Sequence, residues 1–248
     1  MNSIAVLTFA SLQHSVRKFP RVGSRAGRNV FVALTLRVTK LGRQAFGDDV
    51  FLSIPADEVH EFEGVPCHFL TQVGADFGER LYRSIEQVFQ LGYEQVLVVG
   101  NDSPQLDLQI LKECQESFKT ASVVLGPDHR GGVYLLGVGR NNFQLLAGIG
   151  WNKNSDFAQL QAEYRRQEQT VAILDTRSDL DSPADLERIL RGLRCGGTNE
   201  ILCLLQRLQT LLPENLRLTP DPGVILRILR NIRILNQLPP PLVTNQPV

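Results

Sequence analysis

The sequence has no excess of charge of either sign. Lysine plus arginine and aspartate plus glutamate each number 26 among 248 residues, so the formal net charge is zero. Proteins that attract nucleic acid or an anionic membrane surface over long range are usually basic, and this balance indicates neither partner. The apolar share of 43% and the charged share of 21% are ordinary for a soluble globular protein.

Cysteine is scarce and widely spaced. The four cysteines form no CxxC pair, which argues against both a zinc site and a disulfide framework; they are Cys67, Cys114, Cys195 and Cys203. The first ten residues contain no basic region, and their apolar stretch is only as long as a strand, so we expect neither a signal peptide nor a membrane span. These absences predict a reduced, cytoplasmic protein.

The glycine-rich patterns GxxxxGK[ST] and GxGxxG are also missing, so the sequence shows neither a P-loop nor a dinucleotide-binding fingerprint. Short apolar runs instead alternate with segments of helical periodicity over residues 1–195. This alternation predicts an α/β fold with a mostly parallel sheet between helices on both faces. The composition then changes, and we expect residues 196–248 to form a helical appendage with a proline-rich tail.

The predicted appendage contains two amphipathic segments. Leucines recur at helical spacing over residues 201–212, and arginines alternate with apolar residues over residues 224–235. The arginine row is either a solvated face or a contact between subunits. A homo-oligomer formed through these helices is therefore one assembly that the pattern allows.

The chain is organised around residues 95–100 (QVLVVG). This short, β-branched, apolar run predicts a strand that is buried on both faces. Asp102 follows directly, at the carboxyl edge where open α/β sheets bind ligands. Carboxylate oxygens suit hard divalent cations, so Asp102 is a candidate metal ligand; the alternative is that it only caps the next helix.

Basic residues gather after the first predicted strand, residues 4–9. Arg17, Lys18 and Arg25 lie in a segment that also contains glycine. Loops of this kind can hold phosphates through side-chain charge and backbone N–H groups. The alternative is a solvated, mobile basic loop.

Four motifs resemble those of a bacterial glycosyltransferase-A-like family of unknown function, often labelled radical-SAM or selenodomain-associated transferases. Residues 74–81 (GADFGERL) are similar to its helix start GxDLGERL, and residues 100–106 (GNDSPQL) to its metal loop GxDxPxL. Residues 126–137 (GPDHRGGVYLLG) are similar to GPxxDGGYYLxG, and residues 179–186 (DLDSPADL) to DxDTPEDL. The resemblance implies the nucleotide-diphospho-sugar transferase fold, which agrees with the strand and helix pattern.

The same resemblance implies chemistry on a nucleotide or nucleotide-sugar substrate. The reaction is either glycosyl transfer from a nucleoside-diphosphate sugar or nucleotidyl transfer from a nucleoside triphosphate, and both need a divalent metal, Mg²⁺ or Mn²⁺. By this resemblance the catalytic carboxylates are Asp102 and Asp181, and the metal ligands are Asp102, Asp179 and Asp181. The residues expected to bind the substrate are Arg17, Lys18, Arg25, Arg130, Gly131 and Gly132.

The chain departs from the family pattern in three places. The early loop PGxxKTRL is absent, and residues 151–155 read WNKNS where the family has WST. Arg130 stands where the family has an aspartate before the glycine pair; a guanidinium cannot ligate a metal but can contact a phosphate bidentately. Asp128 is the nearby acid that would replace the missing carboxylate. The alternative hypothesis is therefore a degenerate, non-catalytic member that binds a nucleotide or a partner protein.

Overall fold

In the computed structural model, the residues described are 3–19 and 24–193, together with Leu205, Gln206, Leu208 and Thr210. They form a seven-stranded sheet flanked by helices. The strands are β1 (Ile4–Phe9), β2 (Val50–Ile54), β3 (His68–Thr71), β4 (Gln95–Gly100), β5 (Val123–Pro127), β6 (Val133–Gly139) and β7 (Val171–Ile173). The α-helices are α1 (Leu12–Arg17), α2 (Ser24–Phe46), α3 (Phe77–Gln90), α4 (Leu108–Ser117), α5 (Asp156–Arg166) and α6 (Pro183–Leu193), and 3₁₀ helices span Ala56–Phe62 and Phe143–Gly148.

The strand order is β3-β2-β1-β4-β6-β5-β7. Neighbouring strands are parallel except in the two pairs that involve β6, so β6 alone runs against the others in the described part of the chain. The carboxyl ends of the parallel strands therefore share one edge, which is where α/β sheets of this type bind ligands. The prediction of a mostly parallel sheet is confirmed.

Alternating side chains of β1 enter two different apolar cores. Ala5 and Leu7 pack in the core beneath α3 and α5, whereas Val6 packs in the core beneath α2 and α4. All three side chains are fully buried. Because the strand is covered on both faces, the sheet lies between two helix layers, and the predicted three-layer α/β/α architecture is confirmed.

Side chains at both ends of residues 76–79 cap the start of α3. Asp76 accepts a hydrogen bond from the backbone N–H of Glu79 at 2.8 Å, and the Glu79 carboxylate accepts one from the N–H of Ala75 at 2.7 Å. Asp107 caps α4 in the same way through the N–H of Ile110. Both helices therefore begin where the sequence supplies an acceptor for their first free N–H groups.

The basic segment after β1 differs from the predicted loop. Ser11 caps α1 by accepting a hydrogen bond from the N–H of His14, and α2 already begins at Ser24. Gly27, which suggested a loop, is buried inside α2, where tertiary packing outweighs the low helix propensity of glycine. The loop prediction is wrong where the structure describes this segment, and Lys18 lies at the C-cap of an ordered helix.

Four positions of the predicted appendage are described. Leu205 and Leu208 are fully buried in the same apolar cluster as Leu12, Phe31 and Leu186, so they pack against the side of the α/β domain formed by α1, α2 and α6. The second amphipathic segment and the proline-rich tail lie outside the described residues. The domain boundary and the homo-oligomer therefore stay predictions. None of the helices in the described ranges has the length and apolar character needed to cross a bilayer.

Candidate functional site

A cavity of about 590 Å³ opens at the carboxyl edge of the sheet. Its walls are formed by the ends of β1 and β4 and by the segments that follow β5 and β7. Among the predicted site residues, Lys18, Asp102, Gly132, Asp179 and Asp181 all line this cavity. The structure thus brings the predicted metal loop, one of the two predicted loop glycines and the acids after β7 to a single place, as the motif order indicated.

Asp102 is held at the tip of β4 by a tight backbone. A Cβ atom at Gly100 would lie 2.6 Å from Oδ1 of Asp102, so glycine is what leaves room for this carboxylate. The carbonyl oxygen of Asp102 accepts a hydrogen bond from the N–H of Leu180 at 2.8 Å. This bond ties the tip of β4 to the segment that carries Asp179 and Asp181.

Lys18 bridges two of the predicted metal ligands. Its ammonium group forms ion pairs with Oδ2 of Asp102 and, at 2.6 Å, with Oδ1 of Asp181. Burial alone would lower the pKa of Lys18, but the two carboxylates outweigh it and raise the pKa above its ordinary value. Burial would likewise raise the pKa of Asp102, but the charge and hydrogen bond of Lys18 hold it below its usual range. Lys18 and Asp102 are therefore both charged at neutral pH.

Asp179 has no ion-pair partner within the described residues. Its Oδ1 accepts a hydrogen bond from the Ser103 hydroxyl at 2.6 Å. Burial raises the pKa of Asp179 well above its usual range, and the negative charges of Asp102 and Asp128 add to this shift, outweighing the opposing effects of Ser103 and Lys18. The cavity wall therefore contains a half-buried carboxyl group whose neutral form is favoured by its surroundings.

Asp102 and Asp179 are the two carboxyl groups that could hold a divalent cation at this edge of the sheet. Mg²⁺ is commonly held by one or two carboxylates while substrate phosphates and water complete its shell, and Mn²⁺ takes the same oxygen ligands. Burial and the neighbouring carboxylates disfavour the charged form of Asp179, and a bound cation would favour it. Lys18 pairs with both Asp102 and Asp181, and the described residues contain no cluster of three or more histidine, cysteine or acidic side chains that could surround a metal. Of the three predicted ligands, only Asp179 has no ion pair within the described residues, and a cation at Asp102 would share that carboxylate with Lys18.

Arg130 is directed at the start of α6. Its guanidinium donates hydrogen bonds to Asp185 at 2.5 Å and to Ser182 at 3.1 Å, and it lies 3.7 Å from a carboxylate oxygen of Asp181. Asp185 is buried, and it is paired with both Arg130 and Arg188. In this arrangement Arg130 holds the loop between β5 and β6 against α6 rather than lining the cavity.

The glycine pair is required by packing within the protein. Gly131 has a φ of 91°, and a Cβ atom there would lie 2.3 Å from the carbonyl oxygen of Asn154. A Cβ atom at Gly132 would lie 2.5 Å from Oδ2 of Asp128, whose Oδ1 accepts hydrogen bonds from the N–H groups of Gly132 and Arg130. Asp128 lines the cavity, so it is the acid that this loop presents to the site.

The other two arginines predicted to bind the substrate, Arg17 and Arg25, lie in different places. Arg17 lies in the last turn of α1 and lines the cavity, whereas Arg25 is exposed near the start of α2 and does not. Arg80, which the sequence did not single out, also lines the cavity. Neither Arg17 nor Arg80 has an ion-pair partner among the described residues, so both guanidinium groups are available to an anion.

Sequence reasoning missed Glu58. This residue belongs to the 3₁₀ helix Ala56–Phe62, and its carboxylate accepts hydrogen bonds from the N–H groups of Leu12 and Gln13, each at 2.7 Å. These are donors that the predicted phosphate-binding loop would have offered to a ligand. No local pattern marks Glu58, because its partners lie far away in the sequence.

Part of the cavity wall is aromatic. The rings of Phe9 and Phe77 meet edge to face at 5.5 Å, and those of Phe77 and Trp151 lie 5.7 Å apart. Trp151 packs onto Gly78, where a Cβ atom would lie 2.5 Å from the indole ring. All three rings line the cavity, which therefore combines an acidic region around Asp102 with an apolar one.

Comparison with known proteins gives a fold and a family match over part of the chain. Residues 35–153 match the model of a family described as an uncharacterized protein conserved in bacteria (DUF2064). No curated protein sequence matches the chain. A candidate nucleotide-diphospho-sugar transferase from Desulfovibrio desulfuricans aligns with a TM-score of 0.76 and 20% identity, over 88% of this chain and 100% of that one.

Two further solved structures align less closely. A cytidylyltransferase from Leptospira borgpetersenii has a TM-score of 0.56 and 9% identity, over 89% of this chain and 100% of its own. Rv0371c from Mycobacterium tuberculosis has a TM-score of 0.51 and 15% identity, over 77% of this chain and 100% of its own. At such identities the likeness shows the fold alone. The chain therefore has the nucleotide-diphospho-sugar transferase fold, and its residues 35–153 are similar to a family of uncharacterized proteins conserved in bacteria.

Proposed function

We propose that this chain is a metal-dependent transferase that acts on a nucleotide substrate. The reaction is glycosyl transfer from a nucleoside-diphosphate sugar or nucleotidyl transfer from a nucleoside triphosphate. The observation that carries the proposal is the pair of half-buried carboxyl groups, Asp102 and Asp179, beside Lys18 at the carboxyl edge of the sheet. Relatives in fold that are named as a candidate nucleotide-diphospho-sugar transferase and a cytidylyltransferase support a nucleotide-linked substrate.

Asp102 and Asp179 would hold the Mg²⁺ or Mn²⁺ ion. When bound, the cation would neutralise phosphate charge and stabilise the leaving group. Lys18 adds a further positive charge at the same place. Arg17 and Arg80 line the cavity without ion-pair partners in the described ranges, so they would contact the outer phosphate oxygens.

The aromatic wall would receive the less charged part of the substrate. Phe9, Phe77 and Trp151 offer flat apolar surfaces against which a base or the apolar face of a sugar can stack. With the phosphates directed toward Asp102, the bond to be broken would lie between the acidic and aromatic regions. A substrate that carries both a diphosphate and a ring system uses both parts of the cavity.

The second candidate is a non-catalytic protein that binds a nucleotide or a partner protein. Two observations favour it: Glu58 occupies the N–H groups after β1, and Arg130 is engaged with Asp185. Groups that would otherwise position a substrate are thus taken by carboxylates of the protein itself. Such a site would bind a ligand without orienting it for transfer.

Isothermal calorimetry with a panel of nucleoside-diphosphate sugars and nucleoside triphosphates tests the proposal, in Mn²⁺ and in chelator. Asp102→Asn keeps the shape of the side chain but removes its charge, so ligand affinity in Mn²⁺ should fall at least about tenfold. Asp48→Asn is the matched control, because the Asp48 side chain is 84% exposed and lies outside the cavity. Binding that is equally strong in chelator and in Asp102→Asn would contradict the proposed metal site.

Turnover separates the two candidates. Each ligand that binds is incubated with the protein and Mn²⁺, and release of the nucleoside diphosphate or pyrophosphate is followed by chromatography. Release that disappears in Asp102→Asn supports the transferase. Tight binding without any release, across the whole panel and with added acceptors, would favour the non-catalytic alternative.

A further inference from the structure

Lys18 is paired with the Asp102 carboxylate, which a metal ion would need as a ligand. Its ammonium pairs with Asp102 and Asp181, and its side chain is only 14% exposed. The neighbouring Arg17 is exposed and has no ion-pair partner in the described part of the chain. Of these two neighbouring basic residues, only Lys18 pairs with the acidic side chains of the cavity.

The position of Lys18 is built by contacts on both sides of α1. Glu58 accepts hydrogen bonds from the first N–H groups of this helix, and Ser15 donates to Asn101, which precedes Asp102 on the tip of β4. Because α1 is attached to the β4 tip in this way, its C-cap residue Lys18 is held against the Asp102 carboxylate.

An ammonium group and a divalent cation compete for one carboxylate. Like charges a few ångströms apart repel strongly in a partly buried site, where water screens them poorly. A metal that approaches Asp102 must therefore displace Lys18 or bind beside an unfavourable positive charge. Once displaced from Asp102, the ammonium keeps only one of its two carboxylate partners, Asp181.

A diphosphate changes this balance. Its oxygens accept hydrogen bonds from an ammonium as a carboxylate does, and they also complete the shell of a divalent cation. With a diphosphate in the cavity, Lys18 can exchange Asp102 for a phosphate oxygen while staying on Asp181. Asp102 is then free for the metal, so each ligand lowers the cost of binding the other.

We propose that Lys18 is an internal counter-ion that keeps divalent metal off Asp102 until a phosphate-bearing ligand draws the ammonium away, so that metal and phosphate bind interdependently. This inference rests on the proposed function, because it takes Asp102 as the metal ligand. Its thermodynamic consequence is reciprocal coupling between the two ligands. The protein without phosphate should therefore bind Mn²⁺ weakly.

The first test uses Mn²⁺ alone. Calorimetric titrations compare the wild type with Lys18→Met, Lys18→Gln and Lys112→Met. Removing the ammonium should raise Mn²⁺ affinity at least about tenfold, a change typical of ligand coupling. Lys112 is exposed on α4 and does not line the cavity, so Lys112→Met removes one positive charge and should leave the affinity unchanged. Lys18→Gln keeps hydrogen-bond donors beside both carboxylates and serves if Lys18→Met does not fold.

The second test uses inorganic pyrophosphate with Mn²⁺, after correction for their association in solution. Pyrophosphate should raise the Mn²⁺ affinity of the wild type at least about tenfold, and this enhancement should shrink in both Lys18 variants. Folded Lys18 variants that bind Mn²⁺ no more tightly than the wild type would overturn the inference, even if a nucleotide still binds. Tighter Mn²⁺ binding by these variants would support it, even if no nucleotide binds and the transferase proposal fails.

Discussion

Replacing Glu58 should destabilise the protein more than its place in a short 3₁₀ helix suggests. Its carboxylate accepts hydrogen bonds from the N–H groups of Leu12 and Gln13, and Glu58 is only 2% exposed. A hydrogen bond to a charged group contributes about 1.5–3 kcal/mol, so Glu58→Ala should lower the free energy of unfolding by roughly 3–6 kcal/mol. Glu58→Gln keeps one acceptor oxygen and should lower it by about half as much.

Urea unfolding followed by circular dichroism measures these differences by linear extrapolation. Glu61→Gln is the matched control, because Glu61 lies on the same 3₁₀ helix and pairs with Arg28 nearer the surface, where an ion pair contributes about 0–1 kcal/mol. If Glu58→Ala lowers the free energy of unfolding by no more than Glu61→Gln does, the Glu58 carboxylate does not hold α1 in place. The position of Lys18 would then need another explanation.

Three further changes test other parts of the structure. Gly131→Ala should lower the free energy of unfolding by about 1–3 kcal/mol through its backbone conformation alone, and its Cβ atom would also clash with Asn154. A Cβ atom at Gly148 meets nothing within 4 Å, so Gly148→Ala should not destabilise the protein. Thermal melting compares the two variants. Burial and the charge of Lys18 hold the pKa of His14 below 6.5, so the folded state binds fewer protons than the unfolded state and stability falls as the pH drops below that value. His14→Gln should flatten this part of the melting temperature–pH curve, and an unchanged slope would refute the assignment. Leu205→Asp should lower the free energy of unfolding by at least about 3 kcal/mol, because Leu205 is fully buried, and a smaller loss in urea titration would show that this leucine is not part of the core.

The sequence by itself determined the strands and most of the helices, although not α1. The run at residues 95–100 is a strand because its apolar, β-branched side chains suit burial on both faces, and the structure has β4 at those positions. The cap at Asp76 was equally readable, because an acceptor three residues before the N–H that it binds is a local pattern. Asp102 followed from position alone, since a residue just past the carboxyl end of a parallel strand lies at the ligand-binding edge.

Only the tertiary structure decided which charges meet. Lys18 lies 84 residues from Asp102 in the sequence, and Glu58 lies 46 residues from Leu12, so no periodicity links either pair. The same is true of Arg130, whose guanidinium pairs with Asp185 instead of facing the cavity. Secondary structure follows from local side-chain spacing, whereas the partner of a charged side chain is fixed by how distant segments pack. The sequence therefore located the candidate site, and the packing around α1 determined that its acidic region already contains a cation.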